Sequence, residues 1–388
     1  VPFAAAISQH PLATHAVGEA VGQILDQIGE APDAVVVFVT APFAGATEDI
    51  VAAIRATLRP GAVVGATAAS VLAGTTEVEG AAAIALFAMR LGPRRRHASI
   101  GVARTVTFDV AEVADGWTVT TDADLDQRGA TLVLLADPFS FPTEALVADL
   151  TSRHSGLTVV GGLASAASGP GGNRLVADDV VRSSGAVGLL LPPGLGVRAV
   201  VSQGCRPVGR PLVVTRASGT MIDEIAGRPA LERLLAQAED ASDGDRSRMA
   251  RGLHLGIVVD ERKPTFDRGD FVIRPVLGAD HERGAVAVGA EVPVGATVQF
   301  QVRDADTADE DLRVLLADAH GDGALVFTCT GRGQELFGES GHDATVVAEQ
   351  LDHRAVAGMF CAGEIGPVDG HHLVHAMSAS VLLFDDPT

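Results

Sequence analysis

Three stretches of the chain repeat one order of apolar and polar positions. The first runs from AVVVFVT (Ala34 to Thr40) through AVVGATAAS to the apolar run Ala81 to Met89. The second runs from TLVLLAD (Thr131 to Asp137) through TVVGGLASAAS to GAVGLLL (Gly185 to Leu191). The third runs from ALVFTC (Ala324 to Cys329) through AVAGMFCAGE to SASVLLF (Ser378 to Phe384). Each predicts a strand, a helix, a second strand ending in glycine (Gly65, Gly161, Gly358), a loop and a closing strand, with the glycines at matching turns. Val35 to Val39 is apolar at every position, so both faces of that strand should be buried. One helix per unit covers one face only. The other needs a second sheet, which predicts an α/β fold of repeated units with two packed sheets inside and helices outside, α/β/β/α.

Elsewhere, Thr14 to Ile28 has the spacing of an amphipathic helix, and helices are expected over Thr47 to Leu58 and Thr143 to Arg153. Ala98 to Phe108 and Ala111 to Thr121 add strand or loop. A domain boundary near Arg210 and Pro211 divides the chain into residues 1–210, with two units, and 211–388, with one unit and added strands. The second half opens with a short strand and a helix over Thr220 to Ala236, readable as a degenerate fourth copy. An acidic loop (Glu239 to Met249) and four strand-like runs follow. In the last run Val298, Phe300 and Val302 alternate with Gln299, Gln301 and Arg303, as on a sheet with one wet face. DADTADEDL invites a calcium reading but departs from the EF-hand pattern, with Ala308 and Asp309 at its fifth and sixth positions. Thr307 and Glu310 read instead as a capping box.

Composition narrows the function. With 388 residues and 47% hydrophobic content, two globular domains are the default. A net charge of −20 leaves no basic footprint for nucleic acid, and Arg94 to Arg96 read as a solvated loop. No apolar run is long enough for a membrane helix, and VPFAAAISQHP lacks the basic start of a signal peptide. Lys263 is the one lysine among 29 basic residues, so no Walker A loop is present. No GxSxG, HExxH or paired CxxC occurs either.

The candidate chemistry gathers in glycine-containing segments after strands. Cys205 and Arg206 lie in SQGCRPVG with Gln203 and Gly204. Cys329, Gly331 and Arg332 lie in FTCTGRG, and Cys361, Gly363 and Glu364 in FCAGEIGP. Gly162 and Ser165 follow the second unit's glycine. The cysteines read either as small buried hydrophobes or as reactive thiols. His371, His372 and His375 form HHLVH, a turn or surface cluster or, alternatively, ligands for haem or a transition metal. Arginine grips carboxylates through a rigid fork and glutamate pairs with ammonium, so Arg206, Arg332 and Glu364 would suit a zwitterion. An internal ion pair is the competing reading. The expected site is a pocket where the three segments meet, with His375 beside it.

These motifs carry a family resemblance. VVGGLAS, GAVGLLL and SQGCRPVG in the first half, and GRPALERLL, GALVFTCTGRGQELFG, AGMFCAGEIGPV and HAMSAS in the second, resemble the FIST proteins, the F-box and intracellular signal transduction family. The resemblance spans roughly residues 30 to 385. It implies a FIST N-type and a FIST C-type domain forming a cytoplasmic sensory module that binds small molecules such as amino acids. Some relatives bind haem and report nitric oxide to kinases; others carry an F-box. Kinase, methyl-acceptor and F-box segments are absent here, so the output is expected to pass to a separate signalling protein. The expected function is a stand-alone ligand-binding sensor without a cofactor. The alternatives are a haem-based nitric oxide sensor and a cysteine-dependent enzyme using Cys205 or Cys329 with His375.

Overall fold

The computed structural model describes residues 2–91, 102–113 and 116–384; Arg94 to Arg96 and the start of the Ala98 to Phe108 run lie outside them. The chain divides into two compact units. One comprises Val1–Val201, Arg313–Val374 and Ala379–Thr388; the other comprises Ser202–Leu312 with His375–Ser378.

The first unit is built from the three repeats. In each, the first strand pairs in parallel with the glycine strand: Ala34–Thr40 with Ala62–Ala68, Thr131–Ala136 with Thr158–Leu163, and Gly323–Cys329 with Ala355–Cys361. The closing strands Ile84–Met89, Ala186–Leu191 and Ser378–Phe384 run antiparallel on the other side of the first strands. The intervening helices are Thr47–Leu58, Thr143–Arg153 and His342–Gln350.

Gly65, Gly161 and Gly358 stand at the fourth position of their strands, inside the sheet and not at its turns. They face Val37, Leu134 and Val326 across the parallel pair. A Cβ at any of the three would run into the carbonyl oxygen of that partner residue. Glycine is required here by close backbone approach, at one equivalent place in every repeat.

The hairpin after each glycine strand does not complete its own sheet. Ser70–Ala73, from the first repeat, pairs with the glycine strand of the third. Leu175–Ala177, from the second, pairs with that of the first, and Glu364–Val368, from the third, pairs with that of the second. The exchange is cyclic, so each sheet's edge is covered by chain from another repeat.

Helices lie outside and sheets pack inside, as the patterning requires, but the repeats build three sheets around one core rather than two in layers. Val36 and Phe38, Val133 and Leu135, and Leu325 and Phe327 all point into it. Phe38 meets Phe327 edge-on at 6.0 Å between centroids, and Phe87 stacks on Phe384 at 5.5 Å. The alternate residues Val35, Val37 and Val39 pack with Ile50, Ile54 and Leu58 of the outer helix.

The second unit is an antiparallel barrel rather than a fourth repeat. Its order is Cys205–Ser218, Thr297–Arg303, Leu253–Val258, Phe271–Asp280, Ala285–Val288 and Met221–Ile225, and the last strand pairs back to the first. Register shifts in Cys205–Ser218 between Val208 and Leu212, and again at Val214 and Arg216, let one strand serve both neighbours and close the ring. Val214, Ile222, Leu255, Val286, Val298 and Phe300 fill it.

Several local expectations change here. The helix expected from Thr220 begins only at Ala230, after the strand Met221–Ile225. Within the expected acidic loop, Asp243–Arg251 is helical, with Ser242 accepting from the Asp245 amide at 3.1 Å. Asp304, not Thr307, opens the helix Ala305–Leu316, accepting the Thr307 amide at 3.0 Å. Gln299 and Gln301 are buried, and Gln299 Nε2 donates to the Gly209 carbonyl at 2.7 Å.

Candidate functional site

The third repeat departs from the other two where the exchanged hairpins enter. One residue beyond each strand glycine, the hairpin partner is Val71 opposite Met359, Leu175 opposite Ala66 and Glu364 opposite Gly162. Val71 and Leu175 belong to the central core. Glu364 occupies the corresponding place with a carboxylate and has no exposed surface. Gly162 has no Cβ where the Cys361 sulfur sits, and the Leu163 amide donates to the Gly363 carbonyl at 2.8 Å beside it. Ser165 joins the repeats: its Oγ donates to the Phe360 carbonyl at 2.5 Å and accepts from the Ala69 amide at 2.9 Å.

Arg332 follows the first strand of the same repeat and is also fully buried. Its Nε and Nη2 donate to the two oxygens of Asp343 at 2.7 and 2.8 Å, a bidentate pair. Thr328 Oγ1 donates to Asp343 Oδ2 at 2.5 Å, and His342 Nδ1 lies 3.0 Å from Oδ1. Phe337 underlies the guanidinium at 5.3 Å and stacks on the His342 ring at 3.4 Å. Burial alone would raise the Asp343 carboxyl, but Arg332 and these hydrogen bonds hold it far below the usual carboxylate range. The third guanidinium nitrogen, Nη1, is buried with no hydrogen-bond partner among the described residues. Glu364 is close enough for its charge to act on Arg332 and on the Cys361 thiol. Burial first, and then Glu364 and Cys329, push that thiol well above its ordinary range.

Glu77, on the hairpin contributed by the first repeat, accepts the Gly341 and Ala344 amides at 3.0 and 2.9 Å, at the start of helix His342–Gln350. Burial, with Asp343 nearby, pushes its carboxyl up to about 7 against these hydrogen bonds. Sequence reasoning missed Glu77, Asp343, Thr328 and His342. Asp343 reads as an ordinary acidic helix start, and Glu77 sits in an unremarkable TEVE strand.

The predicted residues thus fall into two groups. Gly162, Ser165, Cys329, Gly331, Arg332, Cys361, Gly363 and Glu364 lie in the repeat unit, in or beside this cluster. Gln203, Gly204, Cys205, Arg206 and His375 lie in the barrel unit. There Gln203 Nε2 donates to the Phe271 carbonyl at 2.6 Å, and the Gly204 amide donates to Met377 at 2.8 Å. Arg206 pairs with Asp245, and with Asp304 at 3.2 Å. Pro207, Val208 and Gly209 line a cavity of about 580 Å³ with Arg233, Gln237 and Asp245. In HHLVH, His371 is exposed and the His372 amide donates to Thr151 Oγ1 at 3.0 Å. Among the described residues no group of three or more His, Cys, Asp or Glu side chains is arranged to hold a metal ion. No helix among them is long and apolar enough to cross a membrane.

The FIST N domain model matches residues 33–228, and the FIST C domain model matches residues 229–367. The chain belongs to the FIST family. Its relatives include an uncharacterised protein of Mycobacterium tuberculosis (strain H37Rv), 42% identical over 345 residues, 87% of each chain. Another, from Mycobacterium bovis, is 40% identical over 384 residues, 97% of each chain. FIST domains are sensory modules, and in this FIST protein the match to the C domain contains the whole Arg332–Asp343–Glu364 cluster.

Proposed function

We propose that this FIST protein is a sensor of a small, amino-acid-like molecule, with Glu364 and Arg332 as the recognising charges. The observation that carries this is Glu364. Two repeats place an apolar residue at its position, and the third places a carboxylate in the same core. A position that takes an apolar residue in two repeats thus carries a buried carboxylate in the third, within reach of the Arg332 charge. Arg332 is held by Asp343 in a bidentate pair, and the Glu364 carboxylate is the group suited to an ammonium. The buried Nη1 is a spare donor for the ligand's carboxylate. Because both side chains are fully buried, the ligand enters by parting the short helix Gly333–Phe337 and the turn after it, a segment with glycine at Gly333, Gly338 and Gly341.

The test is a thermal-shift screen of amino acids and their amine and acid fragments on the full chain. A ligand bound only by the folded state raises its melting temperature. For the best compound, Glu364→Gln should weaken binding by about 30-fold or more, since losing one member of a desolvated pair costs about 2–5 kcal/mol. Unchanged affinity in a folded Glu364→Gln protein, or stabilisation by acids lacking an amine and not by amines, overturns this assignment.

A further inference from the structure

We propose that Cys329 and Cys361 are a thiol-oxidation site that closes to a disulfide on meeting a hydroperoxide. The proposal does not depend on the ligand reading. The two residues are register partners at the last positions of adjacent parallel strands. Leu325 and Phe327 on one strand, and Ala357 and Met359 on the other, point into the central core; the same alternation directs Cys329 and Cys361 to that face. Adjacent strands lie about 4.7–4.9 Å apart, inside the Cα separation of about 4.4–6.8 Å that a disulfide spans. Gly162, without a Cβ, leaves space for the Cys361 sulfur. The pairing is peculiar to the third repeat: the first holds Thr40 opposite Ala68 at these positions. In the second, Asp137 follows the first strand and Ala164 the glycine strand.

The two thiols are unlike, as an attacking and a resolving thiol must be. The Gly331 amide donates to the Cys329 sulfur at 3.4 Å, and the Arg332 charge acts on Cys329. An N–H donor on the sulfur favours a thiolate. Cys329 also keeps 8% of its surface exposed while Cys361 keeps none. Cys361, desolvated and beside Glu364, stays protonated. In the first step the Cys329 thiolate attacks the hydroperoxide; the O–O bond breaks, the sulfur becomes a sulfenic acid, and the alkoxide leaves and takes up a proton as the alcohol. In the second step the Cys361 sulfur displaces hydroxide from that sulfenic acid, and its own proton leaves with the hydroxide as water. Two thiols and one hydroperoxide thus give one disulfide, one alcohol and one water, the peroxide being reduced.

The experiment treats the reduced full chain with a slight excess of hydrogen peroxide, then alkylates it in denaturant and maps the peptides by mass. The expected result is a Cys329–Cys361 linked peptide lighter by two hydrogens, reversed by dithiothreitol, with Cys205 recovered as the alkylated thiol. Cys361→Ser should replace the link by a sulfenic acid on Cys329 that dimedone traps, and Cys329→Ala should abolish it. Recovery of all three thiols, a link through Cys205, or over-oxidation of Cys329 with Cys361 still alkylatable would overturn the proposal. The wild-type map decides between these outcomes even if a variant fails to fold.

Discussion

Replacing Asp343 by Asn tests the centre of the cluster. The substitution keeps the side-chain shape and removes the charge that balances a fully buried guanidinium. Breaking a buried pair by removing one member costs about 3–5 kcal/mol, because the remaining charge is left without compensation. Asn retains one acceptor oxygen for Arg332 or Thr328, so the low end applies, about 3 kcal/mol. For a large domain each kcal/mol moves the melting temperature by about 2–4 °C, so the transition of the repeat unit should fall by about 6–12 °C at pH 7. Calorimetry on the two proteins measures this directly. The pH dependence adds a second check. Asp343 is held below its unfolded value, so its contribution is present above about pH 4 and is lost as the pH falls. The gap between wild type and Asp343→Asn should therefore narrow by about 1.4 kcal/mol for each pH unit below about 4. A variant within about 1 °C of wild type at pH 7, or a gap that stays constant down to pH 3, would refute the reasoning.

Two further outcomes follow from the repeat geometry and from Glu77. Gly358→Ala places a methyl group against the Val326 carbonyl and should destabilise by about 1–3 kcal/mol or more, whereas Gly18→Ala, on an exposed helix face with open space, should stabilise by about 0.5–1 kcal/mol. Urea midpoints of opposite sign are expected, and a neutral Gly358→Ala would remove the close-approach explanation. Glu77 binds its proton more tightly in the folded state, up to about pH 7, so stability should fall by as much as about 3 kcal/mol as the pH rises from about 4.5 to 7. In Glu77→Gln that slope should vanish; a slope equal to wild type would place the titration on another group.

The repeats were legible because their strands are apolar at every position, a signal that needs no tertiary knowledge. Val35 to Val39 had to be covered twice, and it is, by helix on one face and by the shared core on the other. The need for glycine at positions 65, 161 and 358 was visible, but its reason was not. Strand pairing brings each of them onto a neighbour's carbonyl, a long-range contact that local spacing does not encode. The barrel was misread in part because its closing strand, Cys205–Ser218, carries Gly209, Pro211 and three register shifts, which locally resemble a linker.

The chemistry divides along the same line. Arg332, Glu364, Cys329 and Cys361 stood out in sequence because charged and sulfur side chains beside glycines after strands are few and conspicuous. Their partners did not. Asp343 belongs to the same repeat but is separated from Arg332 by a short helix, and Glu77 arrives on a hairpin exchanged from the first repeat. Sequence alone determined the α/β repeat, the buried faces and the residue types available for binding, because these follow from local periodicity and composition. Which repeat covers which sheet, and therefore that Glu364 stands where Val71 and Leu175 stand, was decided only when strands far apart in the chain paired.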